Sequence, residues 1–90
     1  LTLTGISLVG MSLSRASFVG TNLTNASLVA SDLSGASFHL AFVDKATFLQ
    51  TSLRNATFTE TSCSETEFVA SDLRGSNIDE TQLQVARSTA

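Results

Sequence analysis

Residues able to carry chemistry are few in this sequence. The 90 residues include one histidine, His39, and one cysteine, Cys63. A catalytic or metal site needs several such groups close together, and no G-x-G-x-x-G or P-loop sequence is present to hold a phosphate. We interpret His39 as a surface residue, rather than a proton shuttle or metal ligand, and Cys63 as a small apolar residue of the interior. The sequence therefore predicts no enzyme, no cofactor and no metal site.

The elements that position these residues are indicated by a strict period of five. Seventeen consecutive positions at this spacing are apolar, and they are Leu3, Leu8, Leu13, Phe18, Leu23, Leu28, Leu33, Phe38, Val43, Phe48, Leu53, Phe58, Cys63, Phe68, Leu73, Ile78 and Leu83. Neither the helical period of 3.6 nor the strand period of 2 explains this spacing. A repeat of this kind indicates a wound chain in which each unit of five sends one large side chain to a common axis.

A second position of the unit supports this interpretation. From Ala16 to Thr81, the residue two places before each apolar site is alanine, serine or threonine, whereas Leu1, Ile6 and Met11 are large. A small residue beside a large one fills a narrow tube without voids. The other three positions carry nearly all the polar residues and should face outward. We expect the large residues at the start to give the first coil an apolar end that a capping element of a longer protein could cover.

The units resemble the pentapeptide-repeat family, whose consensus is A-(D/N)-L-x-x. The matching units read ASFVG (16–20), TNLTN (21–25), ASLVA (26–30), SDLSG (31–35), SDLRG (71–75) and SNIDE (76–80). The resemblance covers residues 1–85 and implies an all-β fold, a right-handed, four-sided parallel β-helix with four units per coil. The chain departs from the family at the second position of the unit, where serine or threonine mostly replaces aspartate or asparagine.

Four units per coil should produce ladders at a spacing of 20 residues, and the sequence contains them. Two ladders of predicted core residues are Leu13, Leu33, Leu53 and Leu73, and Phe18, Phe38 and Phe58 followed by Ile78. Residues 1–85 therefore make about four coils, and strands about 4.8 Å apart give a length of roughly 20 Å. We expect residues 86–90 to be a C-terminal tail or the start of a cap. The glycines lie at the fifth place of the unit, where the chain turns a corner.

Charge and hydropathy exclude several classes of partner. The net charge is −3, with seven of the eight acids between residues 41 and 90, and the few basic residues do not form a nucleic-acid footprint. No apolar run approaches the roughly 20 residues needed to span a bilayer, and no signal peptide is visible. We expect a soluble module, with no membrane contact and no small-molecule substrate, excised from a larger protein. The compartment is left open.

The outer surface contains two apolar features that could form an interface. Val9, Val29, Leu49 and Val69 follow the central residue on one face and should form a straight exposed stripe. An apolar patch of this kind can mark an interface, although β-branched residues there could equally serve only to favour the strand. Leu40 and Phe42 are large apolar residues at outward positions near the opposite edge. Their partner would be another protein, an adjoining domain or a second copy in a homodimer.

These observations predict a rigid, non-enzymatic structural or protein-interaction module within a larger protein. The alternative comes from the resemblance, because some family members imitate duplex DNA and occupy topoisomerase (gyrase). Here the candidate residues are Glu60, Glu65, Glu67, Asp79 and Glu80. Duplex DNA carries about one negative charge per 1.7 Å, so a length of about 20 Å would need roughly ten charges. The net charge of −3 favours the first reading.

Overall fold

The computed structural model describes residues 1–78 and 87–89 and contains one parallel sheet of short strands. The strands are β1 (Ser7–Val9), β2 (Ser27–Val29), β3 (Thr47–Leu49), β4 (Glu67–Val69) and β5 (Arg87–Thr89). They lie in the order β1-β2-β3-β4-β5. Every paired residue is 20 positions from its partner, as in Leu8↔Leu28 and Phe48↔Phe68. Each coil of the chain therefore contributes one strand to this sheet.

The other three sides of each coil are joined by isolated parallel bridges with the same spacing. Examples are Asn22↔Phe42, Asp32↔Ser52 and Ser37↔Thr57, one from each side. A chain that closes four sides every 20 residues, with all pairings parallel, is a four-sided parallel β-helix, and crossovers between parallel strands take the right hand. The fold predicted from the ladders is confirmed.

We name the four faces by what they contain. The strand face carries β1 to β4, and its inward residues are Leu8, Leu28, Phe48 and Phe68. The chain then passes to the leucine face, with Leu13, Leu33, Leu53 and Leu73. It continues to the phenylalanine face, with Phe18, Phe38, Phe58 and Ile78, and to the mixed face, with Leu3, Leu23, Val43 and Cys63. The strand and phenylalanine faces lie on opposite sides of the coil.

Corners of the coil need a left-handed backbone residue. On the leucine, phenylalanine and mixed faces the corner is a hydrogen-bonded turn, as where the Ala36 N–H donates to the Leu33 carbonyl at 3.0 Å. A positive φ at the third residue of such a turn is the mark of type II geometry. Every fifth residue from Gly5 to Gly75 has a positive φ, and ten of these fifteen are not glycine. Position in the repeat, rather than residue type, dictates this conformation.

The strand face turns its corner differently, through side-chain hydroxyls. The Met11 N–H donates to Ser31 Oγ at 3.1 Å, and the Thr51 N–H donates to Ser71 Oγ at 3.3 Å. Thr51 Oγ1 in turn donates to the Leu28 carbonyl of the preceding coil at 2.9 Å. A buried polar group that lacked a partner would cost about 1–3 kcal/mol, so these hydroxyls link neighbouring coils at this corner.

The core is a column of stacked rings and aliphatic side chains. Phe38 stacks between Phe18 and Phe58, with centroids 5.2 and 5.1 Å away and rings within 7° of parallel. Across the core, Phe38 also meets Phe48 edge to face at 6.0 Å. Both arrangements are favourable for aromatic pairs. The side chain of Phe38 is 0% exposed.

Burial falls off at the ends of the column. Leu33 and Leu53 are fully buried, whereas Leu13 and Leu73 on the same ladder are only partly buried. An interior coil has neighbours above and below, which a terminal coil lacks on one side. Leu1 and Met11, the large residues of the first coil, are exposed at that end.

The C-terminal segment contributes backbone to the sheet. β5 lies within residues 86–90, which we expected to be a tail or cap, and pairs in parallel with β4. The boundary at residue 85 stays a prediction. Leu83, Asp79 and Glu80, which were included in the sequence interpretation, lie outside the described residues.

Candidate interaction surface

The interior leaves no room for a ligand among the described residues. No pocket is found in this part of the chain, and no three acidic, histidine or cysteine residues come close enough there to hold a metal ion. His39 is half-buried on the outside of the phenylalanine face, and its Nδ1 lies 3.2 Å from the Thr59 carbonyl oxygen. Cys63 is buried on the mixed face, with Sγ 3.8 Å from the Thr61 carbonyl oxygen. The two side chains do not form a common site.

The predicted stripe runs across the strands on the outward surface of the parallel sheet. Val9, Val29, Leu49 and Val69 end strands β1 to β4 and are paired in register. Val9 is 63% exposed, whereas the other three are half-buried because adjacent coils cover their flanks. Strands about 4.8 Å apart make the row about 14 Å long. The structure therefore brings these four residues together on one flat face.

Small or flexible residues border the stripe at the corner. The residue after each stripe member is Gly10, Ala30, Gln50 or Ala70, all with positive φ and all exposed. On the other side of the stripe lie Ser7, Ser27, Thr47 and Glu67. Most of these bordering side chains are short, with Gln50 and Glu67 as the exceptions.

Leu40 and Phe42 lie at the corner between the phenylalanine and mixed faces, away from the stripe. They are 46% and 49% exposed. Sequence reasoning missed Val19, which follows Phe18 on the phenylalanine face and is 49% exposed. Val19 directly follows the inward residue of its unit, as the stripe residues do. This shared position could have identified Val19 from the sequence.

The main ion-pair cluster of the described residues lies on the leucine face. Arg74 holds Asp72 through two nitrogens, with Nη2 2.8 Å from Oδ2 and Nε 3.0 Å from Oδ1. Arg54 of the preceding coil lies 3.9 Å from the same carboxylate. The Arg74 side chain, the Arg74 backbone N–H and the positive charges of both arginines lower the pKa of Asp72 from 3.8 to about 2. Asp72 therefore stays ionised and ties two coils together.

A second aspartate on this face caps its own turn. Asp32 Oδ1 accepts hydrogen bonds from Ser34 Oγ at 2.6 Å and from the Ser34 N–H at 3.0 Å. These bonds, the hydroxyl first, lower the pKa of Asp32. Asn22 makes the same pair of contacts with Thr24 on the mixed face. The second position of the repeat, occupied by Asp32 and Asn22, therefore closes the local turn at these two sites.

The repeat matches a known protein family. A family model described as pentapeptide repeats matches eight copies, over residues 2–39, 12–50, 44–75 and 51–86. The chain belongs to the pentapeptide-repeat family. The resemblance inferred from the units is confirmed. Curated protein sequences provide no match to this pentapeptide-repeat chain.

Solved structures of pentapeptide-repeat proteins share the fold. The chain is 28% identical to a protein of the Arabidopsis thaliana thylakoid lumen, with a TM-score of 0.80 over 82% of this chain and 51% of that one. It is 20% identical to HetL of the cyanobacterium Nostoc sp. strain PCC 7120, involved in heterocyst differentiation regulation, with a TM-score of 0.69 over 90% and 38% of the two chains.

A third solved structure with a similar fold is QnrB1, a plasmid-mediated fluoroquinolone resistance protein. It is 17% identical, with a TM-score of 0.57 over 93% of this chain and 51% of that one. HetL and QnrB1 are similar to this chain in fold alone. The chain spans about half or less of the length of these three proteins. Within residues 1–78 and 87–89, no helix is long and apolar enough to cross a bilayer.

Proposed function

We propose that this pentapeptide-repeat chain is a rigid, non-enzymatic module that binds another protein through its strand face. The observation that carries the proposal is the in-register row formed by Val9, Val29, Leu49 and Val69. Outward branched apolar residues on a hydrogen-bonded sheet are fixed in place, so they lose little conformational freedom on binding. Family membership supports a scaffold with function on its surface.

The size of the stripe limits what it does alone. A stable interface buries about 800 Å² on each partner, and one exposed valine with three half-buried aliphatic side chains presents less than about 300 Å². A partner must therefore also cover the row of small polar residues from Ser7 to Thr47. In this arrangement the stripe is the apolar centre, and hydroxyl groups form the rim.

The chemistry of the side chains supports a non-catalytic role. Catalysis requires a nucleophile or a base with a partner beside a place for substrate. His39 and Cys63 lie on different faces, and His39 Nδ1 is engaged with the Thr59 carbonyl oxygen. The described carboxylates Asp32, Asp44 and Asp72 hold neighbouring groups of the coil.

Methyl-resolved NMR tests this proposed function. The immobilised chain is first used to recover partners from the source organism. The most enriched protein is then purified and titrated into the labelled chain. A dilution series of the labelled chain alone tests whether a second copy is the partner. We expect the methyl signals of Val9, Val29 and Leu49 to shift, with those of the enclosed Leu33 and Val43 unchanged. Shifts confined to other faces, or no shift in either titration, would contradict the proposal.

A second function, binding to a topoisomerase as a DNA mimic, is favoured by one observation. Glu60, Glu65 and Glu67 follow one another around the fourth coil. Against it, residues 1–78 carry six acids and four bases, a net charge of −2, whereas duplex DNA as long as the stack would carry roughly ten or more. A DNA supercoiling assay discriminates the two functions: inhibition of gyrase by the purified chain would support mimicry.

A further inference from the structure

The corner between the phenylalanine and mixed faces contains a residue that is unfavourable for folding. Leu40 has φ +61°, a left-handed conformation that is unfavourable for any residue with a Cβ. The same ladder has Gly20 one coil earlier, with φ +68° and nothing within 4 Å of an added Cβ. Leu40 also leaves nearly half of its side chain in water. Nine other corners that lack glycine share this conformation, and Leu40 alone among these ten residues exposes a large apolar side chain.

A second unfavourable residue lies two positions further along the same corner. Phe42 pairs with Asn22 before it and Ser62 after it. Asn22 Oδ1 accepts the Thr24 N–H at 3.0 Å and so closes its turn, a contact that a phenylalanine ring cannot make. Phe42 is 49% exposed. Residues that break local rules without a gain in stability are expected at functional sites.

A carboxylate follows these apolar groups in the next coil. Glu60 is on the ladder of Gly20 and Leu40. It is exposed, and the only ion pairs within residues 1–78 join Asp72 to Arg54 and Arg74. Coils are about 4.8 Å apart. We name Leu40, Phe42 and Glu60 the corner patch.

We propose that the corner patch docks a polypeptide segment in which a large apolar side chain lies within one or two residues of a lysine or arginine. The apolar anchor covers Leu40 and the Phe42 ring, and the cation meets Glu60. An aromatic anchor supplies affinity, while a charge at the rim sets orientation and association rate. The inference goes beyond the proposed function, because it assigns a partner chemistry to a different surface of the same module.

Charge argues against a second copy as the occupant of the corner patch. A two-fold symmetric contact places the same patch on both sides. Glu60 of one copy would then lie near Glu60 of the other, and like charges brought together are repelled. A segment with positive charge satisfies both parts of the patch.

A displayed library of random 12-residue peptides tests the inference without choosing a sequence in advance. The library is selected on the folded chain, and the best peptides are measured by fluorescence anisotropy. We expect enriched sequences to combine phenylalanine, leucine or tryptophan with a nearby lysine or arginine. Raising the salt concentration from 50 to 500 mM should weaken their binding, because exposed charges are screened over a few ångströms. No enrichment over a blank support, or enrichment of peptides without basic residues, would overturn the proposal.

Variants that restore the ladder residues provide the decisive comparison. The double variant Leu40→Gly, Phe42→Asn copies Gly20 and Asn22 and should unfold at a denaturant concentration no lower than the parent does. It should bind the selected peptide at least about tenfold more weakly. Glu60→Gln should weaken binding by about threefold and reduce its salt dependence. Equal binding by the double variant and the parent would overturn the proposal.

A matched control separates this inference from the proposed function. Leu49→Glu lies on the strand face and should leave peptide binding at the corner patch unchanged. If Leu49→Glu alone abolishes binding of the peptides, they occupy the stripe, and the corner patch proposal fails while the interaction module stands. If the corner patch binds its peptides and no partner contacts the strand face, the proposed stripe fails alone.

Discussion

Enclosure of a single ring links the repeat to its stability. Phe38 contacts two parallel rings on its own face and one perpendicular ring across the core. Its truncation removes the burial of the ring and leaves a cavity that adjacent coils, fixed by backbone hydrogen bonds, cannot close. We expect Phe38→Ala to lower the free energy of unfolding by about 3–5 kcal/mol in chemical denaturation. Val9→Ala, at an exposed position, is the control and should cost under about 1 kcal/mol.

The prediction fails if Phe38→Ala lowers the free energy of unfolding by less than about 1 kcal/mol, because truncating an enclosed phenylalanine causes a larger loss. The inward position of Phe38 follows from the period alone. The left-handed conformation of Leu40 does not, because nothing about leucine favours a positive φ. Only its place in the unit, shared with Gly20, indicates it.

At the scale of the residue, the carboxylate of Asp72 should make the free energy of unfolding depend on pH. The Arg74 hydrogen bonds hold the pKa of Asp72 at about 2, below its ordinary value of 3.8. A lowered pKa stabilises the folded chain above the unfolded pKa, and the stabilisation is lost as the pH falls from about 4 to about 2. Asp72→Asn should therefore flatten the decline in unfolding free energy over this range. Glu65→Gln serves as the control; an unchanged slope in Asp72→Asn would refute this assignment.

At the scale of the element, each face of the coil follows from the spacing of 20, but the kind of corner does not. The ladder Leu8, Leu28, Phe48, Phe68 predicts a face, and the structure confirms it through β1 to β4. Strand and turn faces have the same inward pattern, so the apolar period cannot tell them apart. A signal existed at the next corner, where the strand face alone is followed by hydroxyl residues in coils two to four: Ser31, Thr51 and Ser71.

The hydroxyl corner can be tested with one buried threonine. Thr51 Oγ1 donates to the Leu28 and Leu49 carbonyls at 2.9 and 3.1 Å. Thr51→Val keeps the shape and removes the donor, so we expect a loss of about 1–2 kcal/mol in unfolding free energy. Thr51→Ser keeps the hydroxyl and should lose less than half of that amount. A loss in Thr51→Ser that is larger than the loss in Thr51→Val would show that the methyl group, rather than the hydrogen bond, matters at this corner.

At the scale of the whole molecule, the stack is about as wide as it is long, with Cα extents of 27, 25 and 19 Å. The stability of such a stack is a sum of contacts between neighbouring coils. The outward residues of the four faces can therefore differ from one another. The strand face carries the stripe, and the leucine face carries the Asp72 ion pairs. Sequence patterns located the stripe, yet they could not predict that the interior coils half-cover it.

Binding through the stripe is tested most directly by the substitution Leu49→Glu. A carboxylate at the centre of the stripe would be desolvated on docking, while the inward ladder keeps its contacts. We expect the circular-dichroism spectrum and melting temperature to stay close to the parent. Ser14→Glu, at the same place in a unit of the leucine face, is the control.

The decisive measurement is the dissociation constant of the complex with the recovered partner, or of self-association by light scattering. We predict that Leu49→Glu raises this dissociation constant at least tenfold, equivalent to about 1.4 kcal/mol, whereas Ser14→Glu leaves it unchanged. A dissociation constant for Leu49→Glu equal to that of the parent would contradict binding through the stripe, which would then serve only to form the strand.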